Sequence, residues 1–194
     1  MAKDIEINVQ DAIWKLKREF QHLKGSQFNL AVARAINHTI AKAKTGASRD
    51  IRGEYKVKAK DLSGKLAISK ATRVSQTGMI RVSAKPLPIV SFGARQTRKG
   101  VSVKITGKRK VIKSAFIATM KSGHKGVFVR GAYKGTELSY RTKRINKKGP
   151  DLPIEEVHTA SPYSMMIHER VQQQTADKIN TSFPARLLHE LQRM

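Results

Sequence analysis

Apolar residues near the start of the chain recur at steps of four and three: Val9, Ile13, Leu16, Phe20 and Leu23. That spacing lines one face of an amphipathic helix. Asp11 and Trp14 suit an early turn of it, and Gly25 a stop. Ser26 can cap a second helix, with Leu30, Ala33, Ile36 or Asn37, and Ile40 facing inward. Ala31, Ala33, Ala35, Ala41 and Ala43 favour helix and allow close packing. Gly46 predicts a break, followed by a short helix over 48–55.

The period then changes from near four to two. Residues 56–60 alternate lysine with small apolar groups, and 61–64 read as a turn or a single helical turn. Two strands are predicted at 67–74 and 79–84, joined as a hairpin through 75–78; Pro86 and Pro88 end the second. Residues 100–106 alternate cleanly, with Val101, Val103 and Ile105 on one face and Ser102, Lys104 and Thr106 on the other. After a turn at 107–109, strands are predicted at 111–119 and 127–130, joined through 122–126. Residues 131–150 hold three glycines, a proline and six lysines or arginines, which predicts a flexible basic loop. A short strand closes the sheet at 152–157. A helix over 163–180 follows, with Ile167, Val171 and Ile179 at multiples of four, and 182–184 restarts it at Pro184. Leu187, Leu188 and Leu191 continue the apolar side.

The fold class read from this pattern is α+β: N-terminal helices, a central, mostly antiparallel β-sheet and a C-terminal helix. We expect one domain across 1–194, made of a helical arm (1–55), a basic β-rich core (56–157) and the closing helix (158–194). No internal repeat is visible.

Charge sharpens this division. The 194 residues carry 39 Lys+Arg and 14 Asp+Glu, a net +25. Residues 56–148 hold 25 of the bases and only Asp61 and Glu137 among the acids, a net +23. Residues 1–55 are at +4 and residues 149–194 at −2. Basic charge is therefore concentrated where the period changes, which favours a polyanion or an acidic protein surface as partner. The candidate contacts are Arg81, Lys85, Arg95, Arg98, Lys99, Lys104, Lys108, Arg109, Lys110 and Lys113, with Lys143, Arg144, Lys147 and Lys148 in the loop. Such a surface neutralises phosphates and releases counterions. With 6% aromatics and no helix-turn-helix, zinc-finger or RNP-type motif, sequence-specific reading is not expected.

The sequence offers little to catalysis. It has no cysteine, which removes disulfides, thiolate zinc sites and a thiol nucleophile. The six histidines form no HExxH pair, and no phosphate-binding GxxxxGK[ST] loop occurs. Glu155, Glu156 and His158 make the one acidic cluster beside a histidine. Neighbouring strand residues point to opposite faces, so its two carboxylates should not converge. We expect no enzyme activity and no cofactor. No apolar run approaches membrane-span length, and the opening residues lack a signal-peptide core, so we expect a soluble protein made in a cell interior and no membrane partner.

Several segments carry a resemblance: 86–88 (Pro-Leu-Pro), 92–103 (Phe-Gly-Ala-Arg-Gln-Thr-Arg-Lys-Gly-Val-Ser-Val), 115–130 (from Ala-Phe-Ile-Ala-Thr to Val-Phe-Val-Arg) and 152–154 (Leu-Pro-Ile). Together with Ala33-Arg34-Ala35-Ile36-Asn37 and Arg49-Asp50-Ile51-Arg52, they closely resemble the minor tail protein Z family of long-tailed phages and prophages. The likeness covers about 28–170 and is most specific over 86–130. It implies a virion structural protein of the tail's head-proximal end, needed for a functional head–tail junction and for seating the DNA end. It also implies a ring-forming subunit, a hexamer if it follows the tail tube. The partners would be tail terminator, tail tube and neck proteins, with non-specific contact to phage DNA. The candidate subunit-interface motif is Phe92, Gly93, Phe116, Gly123, His124, Gly126, Phe128 and Arg130. Two departures stand out: the basic loop lengthens the path from Arg130 to Leu152, and His158-Thr159-Ala160-Ser161-Pro162 replaces an aromatic-Gly-Pro feature.

Two classes of function compete. A tail-completion ring would gather six copies, about +150 formal charges, against DNA or acidic neighbouring rings. A free, non-specific nucleic-acid-binding accessory of packaging or recombination would rest on the charge alone.

Overall fold

The structure is a computed structural model that describes residues 3–5, 10–130, 132–133, 140–141 and 154–194. In chain order its elements are β1 (Lys3–Ile5), α1 (Gln10–Glu19), α2 (Gly25–Glu54), α3 (Ala59–Ser63), β2 (Leu66–Ser69) and β3 (Met79–Val82). A short 3-10 helix, Ile89–Phe92, precedes β4 (Arg95–Thr97), β5 (Gly100–Val103), β6 (Lys110–Lys113), β7 (Phe116–Thr119) and β8 (Lys125–Arg130). There follow β9 (Ala132–Tyr133), β10 (Tyr140–Arg141), β11 (Ile154–Glu156), α4 (Pro162–Met166) and α5 (Glu169–Leu191). The α+β class stands: helices at both ends and three small antiparallel sheets, β1-β3-β2, β4-β5-β6 and β11-β8-β7, between them. β9 and β10 pair with each other.

The described chain divides into two compact units that interleave in sequence. One comprises 1–51, 62–85 and 162–194; the other comprises 52–61 and 86–161.

The first unit is built on helices. α2 buries Phe28, Ala31, Val32, Ala35, Ile36, Ala43, Ala47 and Ile51 along one side. α5 answers with Val171, Thr175, Ile179, Phe183, Leu187 and Leu191, a ridge of i, i+4 steps. The expected break at Gly46 is absent, and α2 runs unbroken. A Cβ at Gly46 would lie 3.2 Å from Cδ of Lys178, so the glycine makes room for a side chain of α5. That lysine bonds Asp50 one turn further along α2. The expected restart at Pro184 is likewise absent. The helix passes through the proline, whose missing N–H is outweighed by the buried Phe183 and Leu187 on either side. Gly25 opens α2 rather than closing α1. The expected antiparallel pair forms with its register from Leu66↔Val82 to Ser69↔Met79, but its first strand stops at Ser69 rather than reaching residue 74, so the connection runs over 70–78 instead of 75–78. Asn37 of α2 fixes the chain beyond β2: its Nδ2 donates to the Ala71 carbonyl at 2.9 Å and its Oδ1 accepts from the Ala71 N–H at 2.8 Å.

The second unit is built on sheets. Ile89, Val101, Val103, Ile112, Ala115, Val127, Val129 and Val157 form its core, drawn from β5, β6, β8 and the residues beside them. The single strand expected over 111–119 is two strands in two sheets. Ser114, at φ 57, breaks it, and Ala115 then drops into the core. Residues 56–58 make no strand, since Lys56 and Lys58 donate their N–H groups to the carbonyls of Ile105 and Ser91. The expected loop at 131–150 lies outside the described residues except for β9 and β10.

Candidate functional site

The sheet β4-β5-β6 pairs Arg95↔Ser102 and Thr97↔Gly100 on one side of β5, and Ser102↔Val111 and Gly100↔Lys113 on the other. Directly opposed residues share a face. One face therefore carries Val101, Val103 and Ile112 into the core. The other carries Arg95, Thr97, Ser102, Val111 and Lys113, and Lys104 follows Ser102 on the same parity.

Arg109 lies across this outer face. Its Nε donates to Ser102 Oγ at 3.1 Å, and one terminal nitrogen donates to the carbonyls of Gly93 (2.8 Å) and Ser102 (3.3 Å). Gly93, at φ 63, ends the 3-10 helix with its carbonyl turned toward that guanidinium. Arg109 thus holds its place by neutral acceptors and keeps its full charge on the surface.

Arg98 and Lys99 form the β4–β5 turn, Lys108 sits in the β5–β6 turn and Lys110 opens β6. Eight of the candidate cations, Arg95, Arg98, Lys99, Lys104, Lys108, Arg109, Lys110 and Lys113, are therefore gathered on the strands and turns of one small sheet. Among the described residues none of the eight is ion-paired to a carboxylate. Like charges so placed repel each other, and the sheet keeps a positive field that an anionic partner would relieve. Arg81 and Lys85 are exposed but belong to the helical unit. Lys143, Arg144, Lys147 and Lys148 lie outside the described residues.

The sheet β11-β8-β7 brings together most of the candidate interface motif. Its register, Phe116↔Phe128, Ala118↔Gly126 and Glu156↔Phe128, sets Phe116, Gly126, Phe128, Arg130 and Glu156 on one face. The Phe116 and Phe128 rings lie 6.2 Å apart, and the Arg130 guanidinium stands 5.4 Å over Phe116. His124 reaches Glu156 Oε1 at 2.9 Å, and His158 meets the Glu156 carbonyl through Nδ1 at 3.0 Å. Gly126 is needed beneath them, because a Cβ there would meet Glu156 Oε1 at 2.6 Å and the Phe128 ring at 2.8 Å. Gly123, at φ 79, turns the chain before His124. Phe92 stands apart from this group: it is fully buried and serves as core.

Glu155 and Glu156 pair with Val129 and Phe128, so the two carboxylates lie on opposite faces, as strand alternation requires. The contact of His124 with Glu156 was not foreseen, because 32 residues separate them and only the β8–β11 register joins them. Among the described residues no group of three His, Asp or Glu side chains could hold a metal ion. The helical unit also holds a shallow depression of about 520 Å³ lined by Arg34, Asn37, Arg186, Glu190 and Arg193. Glu190 is buried there against Arg186, a pair whose i, i+4 spacing on one helix was the available sequence signal.

No described helix is long and apolar enough to cross a membrane. The chain matches the family model described as prophage minor tail protein Z over residues 9–194, and it belongs to that family. It is thus a phage minor tail protein, a structural component of the virion. No curated protein and no solved structure matches the chain.

Proposed function

We propose that this chain assembles as a homo-oligomeric ring completing the head-proximal end of the phage tail, where it makes the head–tail junction functional and helps seat the end of the DNA. The observation that carries this reading is the outer face of β4-β5-β6, whose cations have no described carboxylate partner. Charge of that density is costly on an isolated subunit and is compensated when phosphates or a neighbour's carboxylates stand opposite. The tail terminator, tail tube and neck proteins are the expected neighbours. The reading assigns the chain no reaction and no cofactor.

The test replaces Arg95, Lys104 and Lys113 together by glutamine in the phage and compares assembled with infectious particles. The reading expects particles with joined heads and tails but a large loss of infectivity, or tails that fail to join. Wild-type infectivity with the triple variant present in the tails would overturn it.

A further inference from the structure

The helical unit carries a recess that the basic sheet does not share. It has a volume of about 520 Å³ and is lined by Arg34 and Asn37 of α2 and by Arg186, Glu190 and Arg193 at the end of α5. Arg34 and Asn37 stand three residues apart, and Arg186, Glu190 and Arg193 follow at steps of four and three, so each set keeps to one side of its helix. Three guanidiniums therefore meet one carboxylate there, a net +2.

The internal partners in the recess are already spent. Glu190, only 4% exposed, is held by Arg186 at 2.5 Å. Asn37 is committed through both ends of its amide to the main chain of Ala71. Arg34 and Arg193 are exposed, and among the described residues neither guanidinium is ion-paired. The Arg186 Nε–H is buried without an acceptor. The recess is thus rich in donors and short of acceptors, and buried or converging donors call for an acceptor from outside.

We propose that this recess binds a carboxylate of another virion protein, received by Arg34 and Arg193. A guanidinium presents its N–H groups as a planar fork that matches the two oxygens of a carboxylate, which a lysine cannot do. The shape of the site favours a single acidic group over a duplex. DNA offers closely spaced phosphates along a stiff backbone, whereas this recess is small and holds the Glu190 carboxylate, which repels a dense polyanion more than a lone carboxylate. The site belongs to the near-neutral helical unit and does not depend on the ring reading.

The test uses the full chain carrying Arg95→Gln, Lys104→Gln and Lys113→Gln, so that three cations of the basic sheet do not compete. The probe is tetraglutamate with acetylated and amidated ends, titrated at ~0.15 M salt, where the screening length is about 8 Å. The Nε–H signals of Arg34 and Arg193 are followed by NMR. The proposal expects both to shift and saturate together. Adding Arg34→Gln and Arg193→Gln should lower the peptide's affinity by about tenfold or more, with an unchanged melting temperature because both side chains are exposed. Adding Lys42→Gln and Lys44→Gln instead removes the same charge about 12 and 15 Å along α2 from Arg34, and should change the affinity less than about twofold.

Signals that stay still or drift without saturating would overturn the proposal, and so would equal losses from the two double variants. A short DNA duplex that moves the Arg34 and Arg193 signals while tetraglutamate does not would assign the recess to nucleic acid and overturn the protein partner.

Discussion

Replacing Gly100 by alanine tests whether the basic face depends on the close approach of β5 to β6. Gly100 has φ 142, a conformation that L side chains rarely adopt. A Cβ there would stand 1.9 Å from the Ile112 carbonyl oxygen, 2.9 Å from its carbon and 3.0 Å from Lys113 Cα. All three atoms are backbone, so no side chain can swing away. The backbone conformation costs about 1–3 kcal/mol. Relief of the clash separates the strands and weakens the two hydrogen bonds of the Val101↔Ile112 pair, about 1 kcal/mol each. The sum is about 3–5 kcal/mol, concentrated in one sheet.

Fluorescence of Trp14 would report on the helical unit, so the suitable measurement is amide hydrogen exchange over 100–113. At 1.4 kcal/mol per factor of ten, protection there should fall by about two to three and a half orders of magnitude. Gly107→Ala is the comparison: at φ 48, with nothing within 4 Å of its Cβ, it should cost only about 1–2 kcal/mol. Protection in Gly100→Ala equal to wild type, or no lower than in Gly107→Ala, would refute the steric argument.

Three further outcomes are expected. Asn37→Ala strands both main-chain groups of Ala71 and should cost about 2 kcal/mol in urea unfolding, with Asn37→Asp falling between it and wild type. Glu190→Ala leaves the Arg186 guanidinium without its carboxylate beside a buried Nε that already lacks a partner. Because Arg186 is partly exposed, the cost should be about 1–2 kcal/mol, seen as a melting temperature lower by about 2–8 °C. If the basic sheet touches duplex phosphates, replacing Arg95, Lys104 and Lys113 by glutamine should lower the slope of log affinity against log salt by about 2.7; an unchanged slope would show that DNA meets some other surface.

The period of the apolar residues made the element types legible. Of the four-step pattern Ile167, Val171 and Ile179, the last two lie on one face that extends through Phe183, Leu187 and Leu191 in α5, whereas Ile167 falls between α4 and α5 and is exposed. The alternation at Val101 and Val103 marks the inner face of β5. What could not be read is what tertiary contacts decide. Gly46 looks like a stop but is a recess for Lys178, and Pro184 looks like a start but is carried within a helix by its buried neighbours. The break at Ser114 depends on a positive φ that a serine does not advertise, and missing it merged β6 with β7.

At the surface, the gathering of charge was legible because it is contiguous in sequence. Arg95 through Lys113 fall on consecutive strands, which antiparallel pairing folds onto one sheet. The anchoring of Arg109 on Gly93 and Ser102 was not legible, nor was the contact of His124 with Glu156, because strand register decides both.

The most direct test is a cryo-electron-microscopy map of the head–tail junction in complete particles. The account predicts a ring of this chain at the head-proximal end of the tail, with Arg95, Lys104 and Lys113 facing DNA phosphates or a neighbour's carboxylates. A map with no copy of the chain at that end, or with those side chains open to bulk water, would contradict it.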